Sequence, residues 1–170
     1  MTQDSSSSVP RGATVYLSIG SNLGDRLSFL RGALRFLERQ GSIAIEAVSS
    51  VYETDPAGLV DQPVFLNIAV RVKTTLSPRE LLSVCQNAEN YFERDHTTRW
   101  GPRTLDIDLL TYEGVTLNEP DLVLPHPRME ERDFVRIPMQ ELLTGRIGCA
   151  EGVRPLYANW YPKLAQDDLE

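Results

Sequence analysis

Two aspartates one residue apart, Asp106 and Asp108, stand in the run Arg103-Thr104-Leu105-Asp106-Ile107-Asp108-Leu109-Leu110. On a β-strand alternate side chains share a face. Leu105, Ile107 and Leu109 then face a core, and Asp106 and Asp108 project together from the other side. Their Cα atoms would lie roughly 6.5–7 Å apart. Two carboxylates at that separation repel each other unless a cation lies between them, and oxygen-rich sites of this kind bind Mg²⁺, which keeps several waters and bridges phosphate oxygens. A solvent-facing acidic pair on an edge strand fits the same spacing. The neighbouring charges favour the metal. Arg94, Arg99 and Arg103 fall in one short stretch, and Arg128, Arg132 and Arg136 fall in another whose spacing a helix would align on one side. A divalent cation with arginine clamps is the apparatus of phosphoryl transfer, where positioning and charge neutralisation do most of the work. The sequence carries no Walker-type or kinase glycine loop. Gly20-Ser21-Asn22-Leu23-Gly24 follows a strand and reads either as a phosphate cradle or as a helix-capping turn.

A second constellation spans residues 52–67. A loop containing Pro56, Gly58 and Pro63 is flanked by Thr54 and by Phe65-Leu66-Asn67. An aromatic beside a carboxamide suits a flat heterocycle: the ring stacks and the amide reads donor and acceptor edges. Placement of Phe65 in the core and Asn67 in the sheet accounts for the same residues. His126, between two prolines, is rigidly presented and as a neutral imidazole can donate to a phosphate oxygen. Trp100 reads as a loop plug or a lid.

These residues need a scaffold. Residues 14–18 read as a buried strand. Asn22 or Asp25 can cap the helix that follows, in which Leu27, Leu30, Leu34 and Leu37 recur at helical spacing. Residues 43–52 and 64–73 read as strands. Ser77-Pro78-Arg79-Glu80 is a capping box with proline at the first helical position. Its helix carries Leu81, Cys85, Ala88 and Phe92 on one face. A strand over 104–112 follows, then a hairpin turn at Gly114, and a short helix is predicted from about Arg128. The order strand-helix-strand-strand-helix-strand predicts an α+β, ferredoxin-like βαββαβ sandwich with C-terminal additions, one antiparallel sheet with helices on one face. Residues 1–12 read as a disordered tail, 13–145 as the domain and 146–170 as a C-terminal extension from which Leu156, Tyr157, Trp160 and Tyr161 can pack back.

The chain of 170 residues is long enough for one core. Its net charge of -7 argues against bulk nucleic-acid or anionic-membrane binding, whereas local arginine clusters suit a small polyanion such as a nucleotide. No apolar run approaches the roughly 18 residues of a membrane span. Cys85 and Cys149 lack metal-type spacing; Cys85 reads as a buried reduced thiol, which points to the cytoplasm.

Together these motifs resemble the 6-hydroxymethyl-7,8-dihydropterin pyrophosphokinase family. The resemblance runs from about Val15 to Leu143. It rests on Gly20 to Gly24, Tyr52-Glu53-Thr54, Asp61-Gln62-Pro63, Phe65 to Asn67, Arg99 to Leu110, and Pro125-His126-Pro127-Arg128-Met129. It implies a transferase that uses ATP and two Mg²⁺ ions to make the pterin diphosphate and AMP for folate synthesis. It further implies Asp106 and Asp108 as metal ligands, and Arg94, Arg103 and His126 as catalytic contacts. Glu89, Trp100, Arg103, His126 and Arg132 would surround the nucleotide. Thr54, Phe65, Asn67 and Phe134 would hold the pterin, and contact with other folate enzymes is a further implication. Three residues depart from the family pattern: His96 where a second loop arginine is common, Glu93 where glycine is common, and Ala57 where larger apolar residues are frequent. Another Mg²⁺-dependent nucleotide enzyme on the same sheet would explain the aspartates but not the Phe65, Asn67 and Phe134 set. A non-catalytic ligand-binding module would not need the arginine loop.

Overall fold

The computed structural model describes residues 12–56, 63–93 and 104–161. Within them β1 (Ala13–Ser21), α1 (Arg26–Glu38), β2 (Ile43–Val48), β3 (Val51–Thr54), β4 (Phe65–Thr74), α2 (Pro78–Phe92) and β5 (Asp106–Tyr112) follow the predicted order. β1 and β4 are central. The sheet runs β5-β1-β4-β3, β2 pairs with β4 alongside β3, and every pairing is antiparallel. This is the ferredoxin-like arrangement.

One face of the sheet is the main core. Val15, Leu17 and Ile19 of β1, Leu66, Ile68, Val70 and Val72 of β4, and Leu105, Ile107 and Leu109 pack against Leu30, Leu34 and Leu37 of α1 and Leu81, Cys85 and Ala88 of α2. Cys85 is a free, buried thiol, and that burial, with Glu89 and Asp108 nearby, pushes its pKa up. The capping box at α2 is formed in both directions. Glu80 N donates to Ser77 Oγ at 3.1 Å and Ser77 N to Glu80 Oε1 at 2.8 Å.

Four features differ from the sequence expectations. The strand expected over 43–52 is broken at Ser49 and Ser50. Ala69 N donates to Ser49 Oγ at 2.9 Å, so a side chain takes over a ladder position, and Ser50 N turns to the carboxylate of Glu141 at 3.1 Å. Serine hydroxyls compete with the ladder in this way. The last helix, α3 (Asp133–Thr144), begins five residues later than expected. Residues 127–131 form turns instead, closed by Arg128 N on His126 Nδ1 at 3.1 Å and Glu131 N on Arg128 O at 3.1 Å. Arg128 is therefore not aligned with Arg132 and Arg136 on a helix.

The helices also do not all lie on one face. Tyr52 of β3 shares a cluster with Ile137 of α3, and Tyr52 is the register partner of Asn67. α3 thus covers the face opposite α1 and α2. The burial of Asn67 (4%) and Ala69 (1%) on that face shows why cover was required. Finally, Gly114 does make a turn, at φ 73°, but β6 (Leu117–Glu119) pairs with β7 (Leu122–Leu124) and not with β5.

The C-terminal region adds an edge strand, β8 (Val153–Tyr157), antiparallel to β3. Trp160 is buried and its Nε1–H donates to Ser49 O at 2.8 Å. Tyr161 packs against the core, and burial together with Glu38 pushes its phenol up to about 12. Leu156 and Tyr157 remain 41% and 48% exposed, so only half of the four candidates pack back. Ser77→Ala removes one side of the capping box and is expected to cost about 1 kcal/mol of stability. Urea denaturation checks this; an unchanged midpoint would show that the box carries no weight.

Candidate active site

The face covered by α3 is polar where the helix begins. A cavity of about 260 Å³ opens there, lined by Ser18 and Gly20 of β1, Thr54 and Asp55 at the end of β3, Phe65 and Asn67 of β4, Asp106 and Asp108 of β5, and Arg132 and Phe134 at the start of α3. Register explains the grouping. Gly20 is opposite Asn67 on one side and Asp106 on the other, and Ser18 is opposite Asp108. Two strand spacings separate the carboxamide from the carboxylates, roughly 10 Å. All four proposed pterin contacts and both proposed metal ligands thus border one space.

Gly20 is required by a close approach. A Cβ there would meet Asn67 Oδ1 at 2.5 Å. The carboxamide is held from its other end, where Nδ2 donates to Thr54 Oγ1 at 3.0 Å in a buried position. Because Thr54 Oγ1 accepts this bond, its own proton remains to be donated. Phe65 and Phe134 are both half-buried and form two aromatic walls. The Arg132 guanidinium lies 5.8 Å from the Phe134 ring centroid, a cation–π contact that holds both at the cavity rim.

Asp106 is exposed and Asp108 half-buried at the opposite end. Glu89, expected near the nucleotide, is outside the cavity lining. Its Oε2 accepts from Ile107 N at 2.7 Å, the amide between the two aspartates. Glu89 thus caps the free edge of β5 and steadies the strand that presents them. His126 lines an adjoining cavity of about 280 Å³, with Leu82, Ile107, Leu109 and residues 120–123, and Asp108 borders both cavities. His126 Nδ1 accepts from Arg128 N, which places the neutral ring's proton on Nε2.

Of the two capping candidates, Asp25, just past the Gly20 to Gly24 turn, caps α1. Asp25 Oδ1 accepts from Ser28 N at 3.2 Å, while Asn22 Nδ2 and Arg26 Nη1 donate to Pro63 O at 3.3 Å and Val64 O at 2.6 Å. The turn grips the root of β4. Ala57, Arg94, His96, Arg99, Trp100 and Arg103 lie outside the described residues. Sequence reasoning missed Ser18 and Asp55 as lining residues; Ser18 and Gly20 were visible as alternate small residues on one strand face.

A larger cavity, about 460 Å³, lies between β2, the end of α3 and residues 158–161. Three of its polar side chains are engaged: Glu46 with Arg71, Glu141 with Ser50 and Tyr52, and the Trp160 indole with Ser49 O. None of the residues singled out for metal, nucleotide or pterin contact lines this larger cavity. Gly20→Ala is expected to displace the Asn67 amide, break its bond to Thr54 and cost about 1–3 kcal/mol. Chemical denaturation measures this; wild-type stability would show that Asn67 can move freely.

The profile of the 7,8-dihydro-6-hydroxymethylpterin-pyrophosphokinase (HPPK) family matches residues 16–144. The 2-amino-4-hydroxy-6-hydroxymethyldihydropteridine pyrophosphokinase of Bacillus subtilis (strain 168) is 46% identical over 127 residues, 75% of this chain and 76% of that protein. The protein of the same name from Methylorubrum extorquens AM1 is 42% identical over 147 residues, 86% of this chain and 93% of that one. Among solved structures, wild-type Plasmodium falciparum HPPK-DHPS with STZ-DHP shares the fold at a TM-score of 0.54 and 17% identity, over 76% of this chain and 39% of that one. With the aspartate pair and the aromatic walls brought to one cavity and the profile match covering the domain that builds it, this chain belongs to the HPPK family.

Proposed function

We propose that this chain transfers the pyrophosphoryl group of ATP to 6-hydroxymethyl-7,8-dihydropterin, giving the pterin diphosphate and AMP for folate synthesis. The observation that carries the reading is the single cavity with Phe65 and Phe134 at one end and Asp106 and Asp108 at the other. A flat bicyclic ring fits between the phenyl walls. Its amino and carbonyl edge meets the fixed Asn67 carboxamide and the free Thr54 hydroxyl proton. Its hydroxymethyl group then points along the floor of Ser18 and Gly20 toward the aspartates.

Among the described residues no group of three or more His, Cys, Asp and Glu side chains is placed to hold a metal. A two-carboxylate site of this kind suits Mg²⁺, which takes one or two carboxylates together with phosphate oxygens and water. Asp106 and Asp108 would hold two such ions. When bound, the ions neutralise phosphate charge and align the attacking and leaving oxygens. The hydroxymethyl oxygen forms a bond to the β-phosphorus, the bond from that phosphorus to the α,β-bridging oxygen breaks, and AMP departs with that oxygen while the hydroxyl proton is lost. Arg132 at the rim and the Nε2–H of His126 in the adjoining cavity contact phosphate oxygens, and the apolar floor of that cavity receives the base. Arg94, Arg103 and Trp100 take the phosphate-contact and closing roles that the family resemblance implies. Residues 13–145 form the catalytic unit and 146–170 an extension, in a cytoplasmic protein. Contact with a neighbouring folate enzyme, which the family resemblance implies, is part of the same reading.

The direct test is an assay with ATP, Mg²⁺ and the hydroxymethyl pterin in which both products are identified. AMP and the pterin diphosphate support the proposal; ADP, free pyrophosphate or a cyclic nucleotide would overturn it. Asp106→Ala and Asp108→Ala are each expected to lower turnover by about 10²–10³ or more, since an electrostatic contact at the transferring group is lost. Near-wild-type rates in both variants at limiting Mg²⁺ would contradict the metal assignment. Phe65→Ala is expected to weaken pterin binding by at least the roughly 0.5–1.5 kcal/mol of an aromatic contact, with ATP binding little changed. Calorimetry with each ligand decides, and equal losses would make the ring merely structural.

A further inference from the structure

The break between β2 and β3 is filled by one carboxylate from the far end of α3. Tyr52 O–H donates to Glu141 Oε1 at 2.6 Å, Ser50 N lies 3.1 Å from each Glu141 oxygen, and Ser50 O–H donates to Oε2 at 3.0 Å. Burial, then the bond to Glu141, holds the Tyr52 phenol well above its ordinary pKa, so it stays protonated and donating. Glu141 is seven residues beyond Phe134, close to two helical turns, so both side chains lie on one helix face about 10.5 Å apart along the axis.

Between them Ile137 packs with Tyr52 and Val153, and Phe134 rests on the same cluster. The strand that Glu141 grips also sets the opposite wall, because Thr54, two residues after Tyr52, is the register partner of Phe65. At its other end α3 has no side-chain cap: Arg132 occupies the N-cap without such a bond. The polar anchor of the helix is therefore at Glu141, remote from the cavity.

We propose that Glu141 is a positioning residue for the pterin site, acting through α3 to set the gap between the Phe65 and Phe134 walls. This rests on the functional reading above and adds a residue that touches neither substrate. Removing the anchor lets α3 shift on β3, and the penalty falls on the ligand held between the rings. The aspartates are on β5, across the sheet, and stay in place, so the nucleotide loses at most the rim contact of Arg132, which moves with the start of α3. Glutamine can replace the carboxylate: its carbonyl accepts from Tyr52 and Ser50 N while its amide donates to Ser50 Oγ.

The experiment measures two dissociation constants for each variant: a non-hydrolysable ATP analogue with Mg²⁺, and the hydroxymethyl dihydropterin in the presence of saturating analogue. Glu141→Ala should weaken the pterin about three- to tenfold, the weight of a misplaced aromatic contact, with the analogue weakened clearly less, by no more than its Arg132 rim contact. Glu141→Gln should restore pterin binding. In a Phe134→Ala background the effect of Glu141→Ala should largely disappear, since the residues act as one unit. Should Glu141→Ala fail to fold, Tyr52→Phe carries the same test with a smaller effect in the same direction. Equal weakening of both ligands, or full additivity with Phe134→Ala, would overturn the inference alone. A wild-type chain that binds the analogue but not the pterin would overturn the functional reading and this inference with it.

Discussion

The site depends on the antiparallel register of β1 between β4 and β5. At Gly20 that register places Asn67 on one side and Asp106 on the other. A slip of one residue would turn every side chain of β1 to the opposite face, turning Tyr16 and Ser18 toward α1 and α2 and exposing Leu17 and Ile19. The apolar residues of β1 and β4 thus do more than stabilise the domain. By burying one face completely they leave a single register in which the polar residues of the other face converge.

Once the register is set, the remaining devices refine positions. The missing Cβ of Gly20 admits the Asn67 oxygen, Thr54 holds the amide nitrogen, and Glu89 holds the amide between the two aspartates. Asn22 and Arg26 grip the carbonyls just before Phe65. α3 supplies the second aromatic wall. The cavity lining thus comes from four strands and one helix, while the two outer helices contribute burial and, through Glu89, alignment.

Much of this was legible in the sequence because it is written in short-range periods. The alternation of Leu105, Ile107 and Leu109 with Asp106 and Asp108 specified both a strand and its polar face. Ser77 and Glu80 specified a helix start. Thr54, Phe65, Asn67 and Phe134, suggested as one set by resemblance, border one cavity. What stayed hidden depends on contacts distant in sequence. The break at Ser49 and Ser50 needs Glu141, more than ninety residues on, to satisfy the freed amide. The late start of α3 comes from the His126 ring capturing the Arg128 amide. β8 is short and carries Pro155 and Arg154, so it forms a strand only because β3 offers an open edge.

The central claim is that the dihydropterin lies between Phe65 and Phe134 with its hydroxymethyl group directed at a cation on Asp106 and Asp108. Paramagnetic broadening measures this directly. With Mn²⁺ in place of Mg²⁺ and a non-hydrolysable ATP analogue bound, the hydroxymethyl protons of the bound pterin should broaden more than protons on the far ring, and the effect should vanish in Asp108→Asn. Bound pterin whose protons are unaffected by Mn²⁺, or broadened most at the amino edge, would contradict the account.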